Sequence, residues 1–110
     1  MNEDEIIEAF VRGFNKPTVL WLTCFKPIHG CGLMKEFKRI TGRKMKPFVV
    51  YPFLYMLEDK GYIVGTWMDN GRRRIKNYKV TRKGEALFSS VTKRINVYMG
   101  KMILDLFIQK

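Results

Sequence analysis

Carboxylates are scarce in this chain, and those present are unevenly spread. Ten Asp and Glu stand against 21 Lys and Arg, and Glu3, Asp4, Glu5 and Glu8 all fall before residue 9. The rest of the chain is therefore more basic than its formal charge of +11 and pI near 9.9 convey. Such a balance favours polyanions, nucleic acid first and an anionic membrane surface second. Histidine is scarcer still, with a single residue. No Ser-His-acid arrangement can be read from spacing, and a nucleophile with no positioned base is not activated. The expectation is a non-enzyme with no cofactor. Two cysteines are too few for a disulfide framework, so the default is reduced thiols in the cytoplasm. No apolar run approaches the ~20 residues of a membrane span, and no charged-then-apolar signal segment opens the chain. Internal repeats and low-complexity tracts are also missing. What remains, at 110 residues and 46% hydrophobic with mean hydropathy −0.19, fits one small globular domain over 1–110 with helical additions outside its core.

The chain is organised around Tyr62–Lys83. Two β-prone runs, Tyr62–Trp67 and Ile75–Val80, flank Asp69-Asn70-Gly71, whose residue types supply the positive φ of a tight hairpin. Arg72, Arg73, Arg74, Lys76, Lys79, Arg82 and Lys83 follow the turn, and no carboxylate lies between Gly71 and Gly84. Cations so crowded repel one another unless an anion arrives. They can be a solvated edge that discourages strand pairing, or a phosphate-backbone contact; the second reading is preferred.

Helical periodicity accounts for most of the rest. Asn2 to Glu5 has the form of a capping box, and Ile6, Ile7, Phe10, Val11 and Phe14 then share one face. Gly13 and Asn15 interrupt, and a nearly all-apolar helix is expected over Pro17–Phe25. After a turn at Ile28-His29-Gly30, Leu33, Met34, Phe37 and Ile40 mark a third helix, stopped at Gly42. A basic loop (Arg43, Lys44, Lys46) leads into a helix over Phe48–Lys60, with Val50, Leu54 and Leu57 inward and Pro52 in or near the first turn. Thr81 is a plausible N-cap for a long last helix, Arg82–Ile108. Its stripe of Phe88, Val91, Ile95, Tyr98, Met102 and Leu106 suits a partner subunit, together with Ile7, Phe10 and Phe14 of the first helix; the alternative is that it covers its own domain. Arg82 and Lys83 sit where a helix dipole disfavours cations, which suggests a phosphate at the base of the hairpin.

After the first helix, three helices, a basic ribbon and a further helix make a mostly α, α+β chain in the order of a winged helix-turn-helix domain. Its core spans 15–81, flanked by helices at 1–14 and 82–110, and the helix before the ribbon enters the major groove. From Arg12-Gly13-Phe14 to Lys83-Gly84 the sequence resembles PadR-like transcriptional regulators. The match runs through Val19-Leu20, Pro27-Ile28-His29-Gly30, Leu33, Tyr51-Pro52, Leu54, Leu57-Glu58, Lys60-Gly61, Gly71-Arg72-Arg73-Arg74, Tyr78 and Val80-Thr81. The resemblance implies a homodimeric repressor on a palindromic operator, joined through its first and last helices. In members that have a ligand, a small-molecule effector releases the DNA. Tyr51 matches a family tyrosine suited to a phosphate contact. Where the family has Ser, Gly and Thr before the Tyr-Pro pair, this chain has Lys46-Pro47-Phe48-Val49-Val50, so Lys44 and Lys46 stand in as electrostatic contacts. The family's drug-binding tryptophan is missing from the last helix, with Ile95 near its place, so multidrug sensing is not implied.

The expected partner is double-stranded DNA, with no membrane. Phosphate contacts fall to Lys44, Lys46, Tyr51, Arg72, Arg73, Arg74 and Lys76, and base reading to Phe48, Val49 and Tyr55. Non-specific DNA coating or RNA binding by the same fold is the alternative, since charge does not distinguish duplex DNA from RNA. Cys24, His29 and Cys31 lie close enough in sequence to invite a metal or redox sensor, but no fourth ligand is evident and the site is expected to hold no metal. Trp67 and Tyr78 are expected as a cross-strand pair beneath the ribbon.

Overall fold

A computed structural model describes residues 1–108 of the chain. Five α-helices and a three-stranded antiparallel sheet follow in order: α1 (Glu3–Val11), α2 (Asn15–Leu22), β1 (Ile28–His29), α3 (Gly30–Thr41), α4 (Pro47–Asp59), β2 (Ile63–Asn70), β3 (Arg73–Val80) and α5 (Arg82–Ile108). The sheet order is β1-β3-β2. This is a winged helix-turn-helix fold, with α3 and α4 as the helix pair and β2-β3 as the wing.

Most helix boundaries have local causes. The Asn2 side chain accepts from the Glu5 backbone N–H at 2.8 Å, capping α1. The expected break near Gly13 is mild: Arg12–Phe14 tightens into one 3-10 turn, and the backbone stays helical into α2. That leaves Pro17 within the first turn of α2, where a missing N–H costs nothing. Helix α2 ends at Leu22, so Phe25 lies beyond it, exposed, edge-on to Trp21 with ring centroids 4.8 Å apart. Gly42 takes φ of 74° and ends α3 through its N–H to the Lys38 carbonyl. Thr81 caps α5, accepting from the Gly84 N–H at 3.1 Å.

Two expectations give way. Ile28-His29 is a strand rather than a plain turn, paired with Tyr78 and Asn77. The hairpin turn is shorter than Asp69-Asn70-Gly71. Asn70 pairs with Arg73, leaving Gly71 and Arg72 as a two-residue turn in which only Gly71 has positive φ, at 67°. Glycine first in the turn is the type II′ pattern, whose twist matches the strands.

The core joins the helices to the foot of the wing. Val19, Leu20 and Leu22 of α2, Leu33 and Phe37 of α3, and Val50, Leu54 and Leu57 of α4 meet Ile28, Met45, Ile63, Tyr78 and Val80. Each such side chain contributes on the order of 1.5–3 kcal/mol. Ile40, expected inward, is exposed instead. Thr23 is fully buried: its hydroxyl donates to the Leu20 carbonyl at 2.6 Å, and its own carbonyl accepts from the Val80 N–H. The second bond ties the end of α2 to β3.

Helices α1 and α5 reach outside that core. No residue of α1 is buried. The radius of gyration is 16.5 Å, against about 13 Å expected of a compact chain of this length.

Candidate nucleic-acid interface

Helix α4 begins without a side-chain cap. Pro47 is its first residue, and the Lys46 carbonyl accepts from both Val49 and Val50 N–H groups, at 2.9 and 3.1 Å. Pro52 lies deeper than expected, sixth in the helix, so the Phe48 carbonyl has no N–H to receive from it. With Val50, Leu54 and Leu57 sealed in the core, the opposite face presents Phe48, Val49, Pro52, Tyr55 and Met56 to solvent. Phe48, Val49 and Tyr55 are thus where base-reading residues were expected. Lys44 and Lys46 are exposed just before the helix, with the Lys46 ammonium 5.6 Å from the Phe48 ring centre.

Tyr51 is turned aside. Its ring packs against the first residue of α3 so closely that a Cβ on Gly30 would meet the phenol oxygen at 2.5 Å. Burial, then the neighbouring Cys31 thiol, push the Tyr51 phenol above its ordinary value. It stays a neutral hydrogen-bonding group, half-buried in the wall of a groove.

That groove, about 660 Å³, runs between the wing, α4 and the start of α3. Lys35, Arg73, Arg74 and Lys76 line it together with Tyr51, Tyr55, Trp67 and Tyr78, and its lining holds no carboxylate. Lys35, Asn70 and Trp67 had not been singled out as interface residues. A signal existed for Trp67, since alternation along β2 puts it on the same face as its partner Lys76. For Lys35 only the packing of α3 against α4 could have revealed it. The expected Trp67–Tyr78 pair is not a direct one: Trp67 faces Lys76, while Tyr78 is buried opposite Gly65.

The cations of the wing are not equivalent. Arg72, Arg73 and Arg74 are exposed at its tip. Arg74 lies 5.3 Å from the Trp67 ring centre and 3.7 Å from the Asp69 carboxylate, a loose and solvated pair. Lys76 corrects the picture of seven uncompensated charges. Its ammonium is 2.7 Å from Glu58 Oε1 of α4, with both side chains largely covered. Glu58 Oε2 also accepts from the Gly65 N–H at 3.2 Å, so one carboxylate fastens the end of α4 to both wing strands. Lys76 is therefore a strut of the wing and lacks the free charge expected of a phosphate contact. Lys83 is accounted for as well. It donates to the Lys60 carbonyl at 2.6 Å, at the negative end of α4, and lies over the Tyr62 ring. Lys83 thus has a partner without a phosphate, while Arg82 next to it is exposed.

The proposed subunit contact divides in two. Ile7, Phe10 and Phe14 are exposed, as are Tyr98, Met102 and Leu106. Phe88, however, packs against its own core, and with Ile95 it lines an apolar groove alongside Phe14, Pro17 and Trp21. Val91 is half-buried. The first half of the α5 stripe thus covers its own domain, because α5 leaves β3 beside α2. Among the described residues, no three His, Cys, Asp or Glu side chains gather to hold a metal, and no helix is long and apolar enough to cross a membrane. Cys24 is half-buried and Cys31 exposed, both free thiols.

Residues 19–90 match the profile of the transcriptional regulator PadR-like family. The chain belongs to that family. Its members are transcriptional regulators, not enzymes. No curated protein matches the sequence. Among solved structures, a PadR family transcriptional regulator from Eggerthella lenta is 24% identical, with a TM-score of 0.83 over 94% of this chain and 95% of that one. A protein from Streptococcus mutans is 28% identical at a TM-score of 0.68, covering 86% of this chain and 85% of its own. Bacillus subtilis PadR, solved in complex with operator DNA, is 25% identical with a TM-score of 0.65. There the match covers 70% of this PadR-like chain and 45% of the B. subtilis protein.

Proposed function

We propose that this PadR-like protein is a homodimeric repressor that binds a palindromic site in double-stranded DNA, with α4 in the major groove and the wing over the neighbouring backbone. The observation that carries the reading is the bracket of cations around α4. Lys44 and Lys46 precede it, Arg72, Arg73 and Arg74 cap the wing beside it, and the groove between is free of carboxylates. The operator complex of B. subtilis PadR supports duplex DNA as the partner class. Dimerisation is supported by the apolar residues that α1 and the far half of α5 leave uncovered. Phe10 is 78% exposed, Tyr98 60%, Met102 58% and Leu106 51%. A twofold pairing of these helices also gives the twofold-symmetric operator its reason.

The test is a binding selection on random duplex DNA, with salt dependence and complex mass measured for the winning sequence. A palindrome bound by two subunits with a steep salt slope is expected. Salt-sensitive binding with no enriched sequence would replace this reading by non-specific coating or RNA binding.

A further inference from the structure

The face that α4 offers to DNA is almost entirely carbon. Phe48 is 72% exposed, Val49 41%, Tyr55 55% and Met56 38%, with Pro52 between them on the same side of the helix. From Phe48 to Met56 the Tyr55 hydroxyl is the one polar side-chain group on that face. The residues that pair with guanine and adenine edges in the major groove, Arg, Lys, Asn and Gln, are missing from it. Asp59 comes only at the helix's end. Exposed apolar surface of this extent calls for an apolar partner. Its surroundings, however, call for a polyanion: Lys44 and Lys46 just before it, and Arg73, Arg74 and Lys35 lining the groove beside it. One surface satisfies both demands. The major groove of duplex DNA, framed by phosphates, carries the C5-methyl groups of thymine.

We infer that α4 recognises its site through thymine methyl groups, with Phe48 and Val49 making the leading contacts and Tyr55 and Met56 extending them about two turns on. The inference rests on the proposed entry of α4 into the major groove and goes beyond it by naming what is read there. Hydrogen-bond readout from this exposed face is confined to the Tyr55 hydroxyl. A methyl group taken out of water contributes about fourfold in affinity, so each position discriminates modestly and several act together.

The experiment uses the full-length protein and the sequence enriched from random duplexes. Each thymidine is replaced in turn by deoxyuridine, which keeps every hydrogen-bonding group and removes only the methyl. At contacted positions binding is expected to weaken about fourfold per methyl. Phe48→Ala and Val49→Ala should bind more weakly and become indifferent to deoxyuridine at the positions they touch. Both side chains are exposed, so the circular dichroism spectrum and melting temperature should hold. If selective, salt-sensitive binding survives every deoxyuridine replacement unchanged, or if 7-deazapurines cost more than deoxyuridine does, methyl recognition is wrong while the DNA-binding reading stands. Absence of salt-sensitive duplex binding would overturn both, and the apolar face of α4 would then be a protein contact.

Discussion

Replacing Arg72, Arg73 and Arg74 by Ala together tests the wing directly. All three side chains are exposed at its tip. Among the described residues, only Arg74 of the three has a carboxylate near it, and at 3.7 Å between groups that are 70% and 85% exposed, that pair offers little competition to a phosphate. Removing one cation from a phosphate should flatten the log–log dependence of affinity on salt by about 0.9, so the triple variant should lose up to about 2.7 for each subunit bound, about 5.4 for the dimer. Between 50 and 200 mM salt, a fourfold change, that difference amounts to roughly 40-fold for each subunit bound. The deficit of the variant should therefore be large at low salt and shrink by that factor at high salt. Fluorescence anisotropy of a labelled operator, titrated at four or five salt concentrations, measures both slopes. Lys76→Met is the internal comparison. Because Glu58 already neutralises Lys76 at 2.7 Å, its loss should leave the slope where it was. An unchanged slope in the triple variant removes the wing from the mechanism. A fall of about 0.9 per subunit with Lys76→Met would show that the Glu58 pair opens on DNA.

Three further outcomes follow from the packing. A methyl added at Gly84 would run into the Tyr62 carbonyl and meet Val80 Cγ2 at 2.6 Å, so Gly84→Ala should cost about 1–3 kcal/mol; a melting temperature within a degree of the parent would contradict it. Phe10→Glu puts a charge on an uncovered face of α1, and sedimentation should show the dimer shifting to monomer by tenfold or more in dissociation constant (a buried Phe contributes about 1.5–3 kcal/mol). An unchanged dimer would move the interface elsewhere. The Tyr78 phenol is raised above 10.0 first by burial, then by Tyr55 and Glu58. The unfolded chain therefore releases this proton first: stability is intact below about pH 10 and falls as pH climbs from there through the raised value. Denaturant midpoints from pH 8 to 11.5 should drop less steeply in Tyr78→Phe, and parallel curves would refute the linkage.

What the sequence disclosed and what it withheld divide by the range of the forces involved. Caps, stops and stripes act within a turn or two of chain, so Asn2, Gly42, Thr81 and the inward Val50, Leu54 and Leu57 could be read directly. Strand β1 could not. It is two residues long, with its cause in Tyr78 and Asn77 far downstream. The same holds for charge. Counting carboxylates between Gly71 and Gly84 made every wing cation look free, yet the group that neutralises Lys76 lies 18 residues away, on the helix beside it. Lys83 finds its partner 23 residues back, in a carbonyl that no inventory of charged side chains includes. The α5 stripe misled for a related reason. A heptad pattern records that a face is apolar, not which body covers it, and the angle at which α5 leaves β3 gives Phe88 to its own core while Tyr98, Met102 and Leu106 remain bare. A basic ribbon is therefore a weak sign of phosphate contact until its own fold has claimed the charges it needs. Here that subtraction leaves Arg72, Arg73 and Arg74 at the tip and Lys79 and Arg82 lower down, with α4 and its uncharged face beside the tip. On the proposed DNA-binding reading, affinity falls to the wing and selectivity to the helix, so changes at the arginines should leave the preferred sequence intact and changes at Phe48 or Val49 should leave the salt slope intact.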